Sequence, residues 1–204
     1  MIPLAIILAG GQATRMGGGD KCLLKLQGRP LLDHILERLR SQAAHIALNA
    51  NGDPARFKAW GLPVLPDSVA DHPGPLAGVL AGLDYAATQG ADTILTVAGD
   101  TPFFPHDLAA RLEAARREAK TPLAMATTPG EGRHLNRHPT FGLWPVSLRE
   151  DLRAALHSGT RKIIAWTDPH GCAKAHFEDS PDPFFNINTP EDLAEAQTRV
   201  QTGA

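Results

Sequence analysis

Short apolar runs rich in branched residues alternate along the chain with stretches whose apolar positions recur at helical spacing. Leu4 to Leu8 predicts a buried strand and Leu31 to Leu39 a helix; Ile46 to Leu48 is the next strand. A weak helix at Pro54 to Trp60 leads to the strand Pro63 to Leu65, then a helix over Leu76 to Ala87 and a strand over Thr93 to Ala98. Pro105 to Ala119 predicts a strong helix, with Pro105 near its start and Arg116, Arg117 and Lys120 at its end, where positive charge suits the helix dipole. Leu123 to Thr127 is the following strand. From Thr128 to Arg137 the chain turns polar and glycine-rich. Beyond it come a strand at Thr140 to Trp144, a helix at Leu148 to His157 and a short apolar stretch at Ile163 to Trp166. The last helix, Pro190 to Val200, has Thr189 as its expected N-cap, Pro190 at the first helical position, and Glu191 and Asp192 in its first turn. It is expected to pack back on the sheet.

Strand then helix, repeated with short connections, is the signature of a mostly parallel sheet covered by helices on both faces. The fold class is α/β, doubly wound. At 204 residues and 43% hydrophobic, the chain suits one domain with one sizeable core. Within it, residues 1–127 carry the regular strand–helix alternation, and residues 128–204, where the signals are mixed, are expected to form a second lobe on the same core.

Charge and cysteine content narrow the function. A formal net charge of -2 offers no broad basic footprint, so no nucleic-acid partner is expected. Cys22 and Cys172 stand far apart without a CxxC partner, which fits a reducing, cytoplasmic setting. The first apolar run lacks a basic n-region and passes straight into Gly10-Gly11, so it reads as a strand, and no run reaches the roughly 20 apolar residues of a membrane span.

The most informative stretch follows the first strand: Leu8-Ala9-Gly10-Gly11-Gln12-Ala13-Thr14-Arg15-Met16-Gly17-Gly18-Gly19-Asp20-Lys21. In a doubly wound sheet, ligands bind beyond the carboxyl ends of the strands. Glycines let successive backbone N–H groups converge on an anion, and Arg15 and Lys21 add two positive charges, a combination that suits a triphosphate. The P-loop pattern is excluded, because Asp20 precedes Lys21 and Cys22 follows it. The dinucleotide fingerprint is excluded by the spacing of Gly10, Gly11 and Gly17.

Leu-Ala-Gly-Gly followed by Arg-Met-Gly and Asp-Lys resembles the signature of nucleotidyltransferases that activate sugars and cofactors. In detail it resembles the molybdenum cofactor guanylyltransferase family. Asn49-Ala50-Asn51, Pro66-Asp67-Ser68, Gly74-Pro75-Leu76-Ala77-Gly78, Gly99-Asp100-Thr101-Pro102, His138-Pro139-Thr140 and Asn186-Ile187-Asn188-Thr189-Pro190-Glu191-Asp192 agree with that family in order. The resemblance implies a Rossmann-like nucleotidyltransferase fold and transfer of GMP from GTP to the phosphate of molybdenum-bound molybdopterin. It implies nucleotide contacts at Leu8, Ala9, Gly10, Gly11, Lys21, Asn49, Asp67 and Asp100, with Mg²⁺ on Asp100. Molybdenum-insertion proteins and molybdoenzyme chaperones are the implied protein partners. Glu131 to Arg137 departs from the family in length. Related cytidylyltransferases instead resemble Leu-Ala-Ala-Gly and Asn-Lys, so both differences favour guanine; the nearest rival is a nucleotidyltransferase that uses CTP with the same pterin, or a sugar phosphate as acceptor. A non-catalytic nucleotide-binding chaperone is the rival from another class, and the joint presence of Arg15, Lys21 and Asp100 argues against it.

Chemistry assigns roles. The acceptor phosphate is already an anion, so attack needs little general-base help, and the problem is repulsion between anions. Arg15, Lys21 and Asp100 are the expected catalytic residues, Asp100 through the metal, which prefers hard oxygens. The Asp67 carboxylate suits the N1–H and N2 amino donors of guanine; the competing reading is a turn residue after Pro66. Asn49 is expected to touch base or ribose, or else to stabilise a strand-end turn. Gly78 and Gly82 sit in a helix at a cost that asks for close approach, either by acceptor or by packing. Asn186 and Asn188 alternate at strand spacing and either donate to the acceptor or form a turn. His134 and His138 do not form a zinc helix, and Cys22 lacks an activating partner.

Overall fold

The structure, a computed structural model, describes residues 2–10, 19–69, 74–132, 134–178 and 182–201. In chain order the elements are β1 (Leu4–Leu8), the two-residue strands β2 (Lys25–Leu26) and β3 (Arg29–Pro30), α1 (Leu31–Leu39), β4 (His45–Asn49), a 3-10 segment at Pro54–Trp60 and β5 (Val64–Leu65). There follow α2 (Pro75–Thr88), β6 (Thr93–Ala98), α3 (Leu108–Ala119), β7 (Leu123–Pro129), β8 (Leu135–Pro145), α4 (Arg149–His157), α5 (Ile163–His170), β9 (Cys172–His176) and α6 (Pro190–Gln201).

Seven strands form one sheet in the order β5-β4-β1-β6-β8-β7-β9. The β1–β4, β1–β6, β4–β5 and β7–β9 pairs are parallel, and β8 alone runs against its neighbours β6 and β7. The sheet is therefore mostly parallel, as its alternating pattern predicts. β1 shows why the run from Leu4 to Ile7 is uninterrupted: Leu4 and Ile6 join one core while Ala5 and Ile7 join the other, so both faces of the central strand are covered. One face carries α1, α3 and Phe57 of the 3-10 segment; the opposite face carries α2, α4 and α5.

Two stretches without a clear pattern take on regular structure, and one expectation, the docking of the last helix, needs correction. The polar stretch to Arg137 carries strand at both ends, because β7 extends to Pro129 and β8, eleven residues long, pairs with β7 on both sides of a bulge between Met125 and Ala126 and reaches back to Leu135. The apolar stretch at Ile163 is the start of a helix whose buried Ile163, Trp166 and Thr167 stand at i, i+3 and i+4, a pattern hidden by its brevity. α6 does not cover the sheet. Its Ala196 and Leu193 join Leu26, Leu31 and Ile187 in a separate small core built on the β2–β3 hairpin. Among the described residues, no helix is long and apolar enough to cross a membrane.

Candidate active site

The chain leaves β1 toward β4 on one side and later returns to β6 on the other. That reversal opens a crevice at the carboxyl ends of the strands, where α/β sheets bind ligands. Ala9 N donates to Asn49 O at 2.9 Å and Gly99 N to Leu8 O at 3.0 Å, so the ends of β4, β1 and β6 are level. A Cβ on Gly99 would lie 3.1 Å from Leu8 O and 3.2 Å from Ala9 Cα, which explains glycine there. Leu8 is half-buried, Ala9 buried and Gly10 exposed, with open space around its missing Cβ. Gly11 and Arg15 lie outside the described residues.

Lys21, Asp100 and Asn188 are brought together from residues far apart in sequence. Lys21 opens a 3-10 turn, and its Nζ lies 3.3 Å from Asp100 Oδ2 while also donating to Asn188 Oδ1. The side chains of Lys21 and Asp100 are 19% and 20% exposed, so the pair is sheltered yet reachable from the crevice. Thr101 Oγ1 stands 3.1 Å from Asp100 Oδ1 and donates to Asn186 Oδ1. Ile187 N donates to Asp100 O at 2.9 Å, fixing the Asn186–Asn188 segment against the end of β6. Both asparagines thus use their oxygens as acceptors here, which leaves their amide N–H groups to offer a ligand. The segment is anchored behind by a capping box: Asp192 N donates to Thr189 Oγ1 at 3.2 Å, and Asp192 Oδ2 accepts from the amides of Asn188 (2.9 Å) and Thr189 (2.8 Å). The Asn188 amide, chief among these donors, holds the Asp192 carboxyl below the usual range.

Two strands away, the expected base-side residues also meet. Asn49 is buried and its Nδ2 donates to Asp67 Oδ1 at 2.9 Å and to Leu65 O at 3.2 Å. Asn51 Nδ2 donates to Asp67 Oδ2 at 2.8 Å, and Asp67 N donates back to Asn51 Oδ1 at 2.9 Å. The carboxylate of Asp67 is therefore oriented by neutral amides, one to each oxygen. Three interstrand steps separate the ends of β5 and β6, roughly 14 Å, a span that a nucleotide laid across the strand ends covers from base to phosphates.

At Gly78 and Gly82, expected to meet the acceptor or to serve packing, the close approach is made by the protein's own side chains. A Cβ on Gly78 would fall 2.1 Å from Asn49 Oδ1, and one on Gly82 would fall 2.6 Å from Ile6 Cγ1. Both glycines are buried, and the space beside each is filled by the protein itself. Gly82 lets α2 close on the sheet; Gly78 makes room for the Asn49 amide. The structure adds Asn51, Arg56 and Thr101 to the site, against Asp67, Asp20 and Asp100. Asn51 had a signal, since Asn49 and Asn51 stand at the same i, i+2 spacing that marks Asn186 and Asn188. Arg56 had none beyond its charge.

Burial, with the nearby Asp20 charge adding to it, pushes the Cys22 thiol up to about 12, so Cys22 is no nucleophile. His138 lies against Phe184 with ring centroids 4.4 Å apart, its Nε2 is 2.8 Å from Thr128 Oγ1, and burial lowers its pKa. Among the described residues no group of three or more His, Cys, Asp or Glu is gathered to hold a metal. Asp100 is instead a single hard-oxygen donor of the kind Mg²⁺ shares with phosphate oxygens and water, and it fits a metal that arrives with its nucleotide.

Residues 5–172 match the family described as MobA-like NTP transferase domain. The chain is 52% identical over 196 residues to a molybdenum cofactor guanylyltransferase of a Bradyrhizobium species, covering 94% of this chain and 90% of the relative. It is 48% identical over 200 residues to one from Cereibacter sphaeroides, covering 98% and 97%. Molybdopterin-guanine dinucleotide biosynthesis protein A from Archaeoglobus fulgidus has a similar fold, with a TM-score of 0.76, 21% identity and coverage of 98% and 99%. So does the 4-diphosphocytidyl-2C-methyl-D-erythritol synthase of Anaerococcus prevotii, with a TM-score of 0.74, 18% identity and coverage of 98% and 96%.

Proposed function

The chain belongs to the MobA-like NTP transferase family, and on that premise we propose that it transfers GMP from GTP to the phosphate of molybdenum-bound molybdopterin, giving the guanine dinucleotide form of the cofactor and pyrophosphate. The observation that carries this reading is the meeting of Lys21, Asp100 and Asn188 at the switch point of the sheet. Relatives named for this reaction, about half identical over nearly the whole chain, support the choice of base and acceptor.

In the proposed reaction an oxygen of the acceptor phosphate attacks the α-phosphorus of GTP. The bond between the α-phosphorus and the bridging oxygen breaks, and pyrophosphate leaves with its electron pair. No proton has to be removed from the attacking oxygen, so the work of the protein is alignment and charge neutralisation. Leu8, Ala9, Gly10 and Gly11 supply backbone to the nucleotide, and Arg15 and Lys21 supply positive charge. Asn49 and Asp67 receive the guanine edge, where the carboxylate accepts from two donors that cytosine lacks. Asn186 and Asn188 offer amide donors to the acceptor. A Mg²⁺ ion held by Asp100 would supply Lewis-acid stabilisation of the charge gathering on the phosphates. In this scheme residues 1–127 serve the nucleotide and 128–204 the acceptor, and the reaction is assigned to the cytoplasm.

A panel of phosphorylated acceptors incubated with GTP or CTP and Mg²⁺, read by pyrophosphate release and product mass, tests the proposal. Molybdopterin-type acceptor with GTP is expected to give the guanine dinucleotide. Faster transfer from CTP, or nucleotide binding without pyrophosphate release from any acceptor, would replace it with the cytidylyl or the non-catalytic reading.

A further inference from the structure

Asp20 presents a problem to any anion-binding reading of the crevice. It places a carboxylate directly beside Lys21, with its side chain only 17% exposed, where a triphosphate is proposed to lie. A sheltered negative charge next to the phosphate lysine repels the ligand unless something cancels it.

Arg56 does so. Its Nε lies 2.5 Å from Asp20 Oδ2 and its Nη2 3.3 Å from Asp20 Oδ1, a two-point grip that uses both carboxylate oxygens. The same guanidinium donates through Nη2 to Asn51 O at 2.6 Å and through Nη1 to Asp53 O. The turn that supplies these carbonyls bends around the guanidinium: Gly52 has φ of +84°, and a Cβ there would sit 3.5 Å from Nη1. Asn51 is the residue whose side chain holds both the carboxylate and the backbone amide of Asp67. One arginine thus ties the residue before the phosphate lysine to the residue that orients the base-side carboxylate, across the end of β1.

We propose that Arg56 is a positioning residue for nucleotide transfer, neutralising Asp20 beside the phosphate site and holding Lys21 in register with the Asn51–Asp67 pair. The inference rests on the nucleotide-binding reading given above. It accounts for a carboxylate tolerated next to the phosphate lysine, since both Asp20 oxygens are engaged by Arg56. It also explains why arginine stands at position 56: lysine carries the charge but lacks the fork that grips a carboxylate and two carbonyls together.

The test is equilibrium binding of GTP and CTP, with steady-state pyrophosphate release, for wild type, Arg56→Gln, Asp20→Asn and the double variant, with folding checked by circular dichroism. Arg56→Gln leaves Asp20 uncompensated and is expected to weaken GTP binding by about tenfold, raising KM more than it lowers kcat. The GTP over CTP preference should fall with it. Adding Asp20→Asn removes the stranded charge and is expected to restore several-fold of the lost affinity, a rescue that a merely structural brace does not produce. If Arg56→Gln fails to fold, Arg56→Lys takes its place, with KM for GTP raised about threefold at unchanged melting temperature. Wild-type affinity and base preference in the folded variant, or a double variant binding no better than Arg56→Gln, overturns the inference alone. Wild-type protein that binds no GTP overturns the nucleotide reading and the inference together.

Discussion

Asp67 and Asp100 are two carboxylates in similar local positions, each just past the carboxyl end of a parallel strand, yet the fold partners them differently. Asp67 is held by the amides of Asn49 and Asn51, which orient it and leave its charge in place. Asp100 lies against the ammonium of Lys21 and the hydroxyl of Thr101. Neutral donors suit a carboxylate that must present its lone pairs to a neutral base. A cationic partner suits one that must exchange that partner when phosphates and a metal arrive, because Lys21 can then turn to the phosphates. In the proposed function, recognition and transfer are thereby separated to opposite sides of β1.

The largest effect that would sharpen this contrast is at Asp100. Losing one preorganised electrostatic contact at a reacting centre lowers turnover by about 10² to 10³, so Asp100→Asn is expected to be folded and nearly inactive, with its GTP/CTP preference unchanged. Lys21→Ala comes next. Under the proposed function the lysine meets phosphates in ground and transition states alike, so KM should rise and kcat fall, each by about tenfold or more, in the pyrophosphate-release assay. Wild-type values of both would break the transfer side of the comparison.

Asp67→Asn acts on the other side. An asparagine offers one oxygen and one NH₂, so it cannot accept from Asn49 and Asn51 and still present paired acceptors to guanine. The GTP/CTP ratio of kcat/KM is expected to fall by about tenfold while the melting temperature moves little. An unchanged ratio would remove base reading from this carboxylate.

The smallest expected effects come from the two glycines of α2. Gly82→Ala drives a methyl into Ile6 and should cost about 1–3 kcal/mol of stability with normal turnover per folded molecule. Gly78→Ala strikes the Asn49 amide instead and should alter base preference as well. If both variants changed only stability, Asn49 would not be part of recognition.

Much of this arrangement was legible in the chain. β1 and β6 are named by their apolar runs, and the ends of those runs point to Gly10, Lys21 and Asp100. Thr189 is recognisable as an N-cap from Pro190 and the acids behind it. What escaped depended on contacts between distant segments. β8 hides because its first residues are polar, and its length comes from pairing with β7 across a bulge. The β2–β3 hairpin has two residues per strand, too few for any periodicity, so the docking site of α6 was invisible. The glycines of α2 signal close approach, but spacing cannot tell whether ligand or protein approaches. Arg56 shows its role only once the turn at Gly52 folds around it.

The most direct measurement is a magnesium titration of pyrophosphate release at saturating GTP for wild type and Asp100→Asn. If Asp100 exchanges Lys21 for a metal held against the triphosphate, the variant will need far more Mg²⁺, and its residual rate will climb as metal is added. Superimposable dependence on Mg²⁺, whatever the difference in maximal rate, would contradict the assignment of the metal to Asp100.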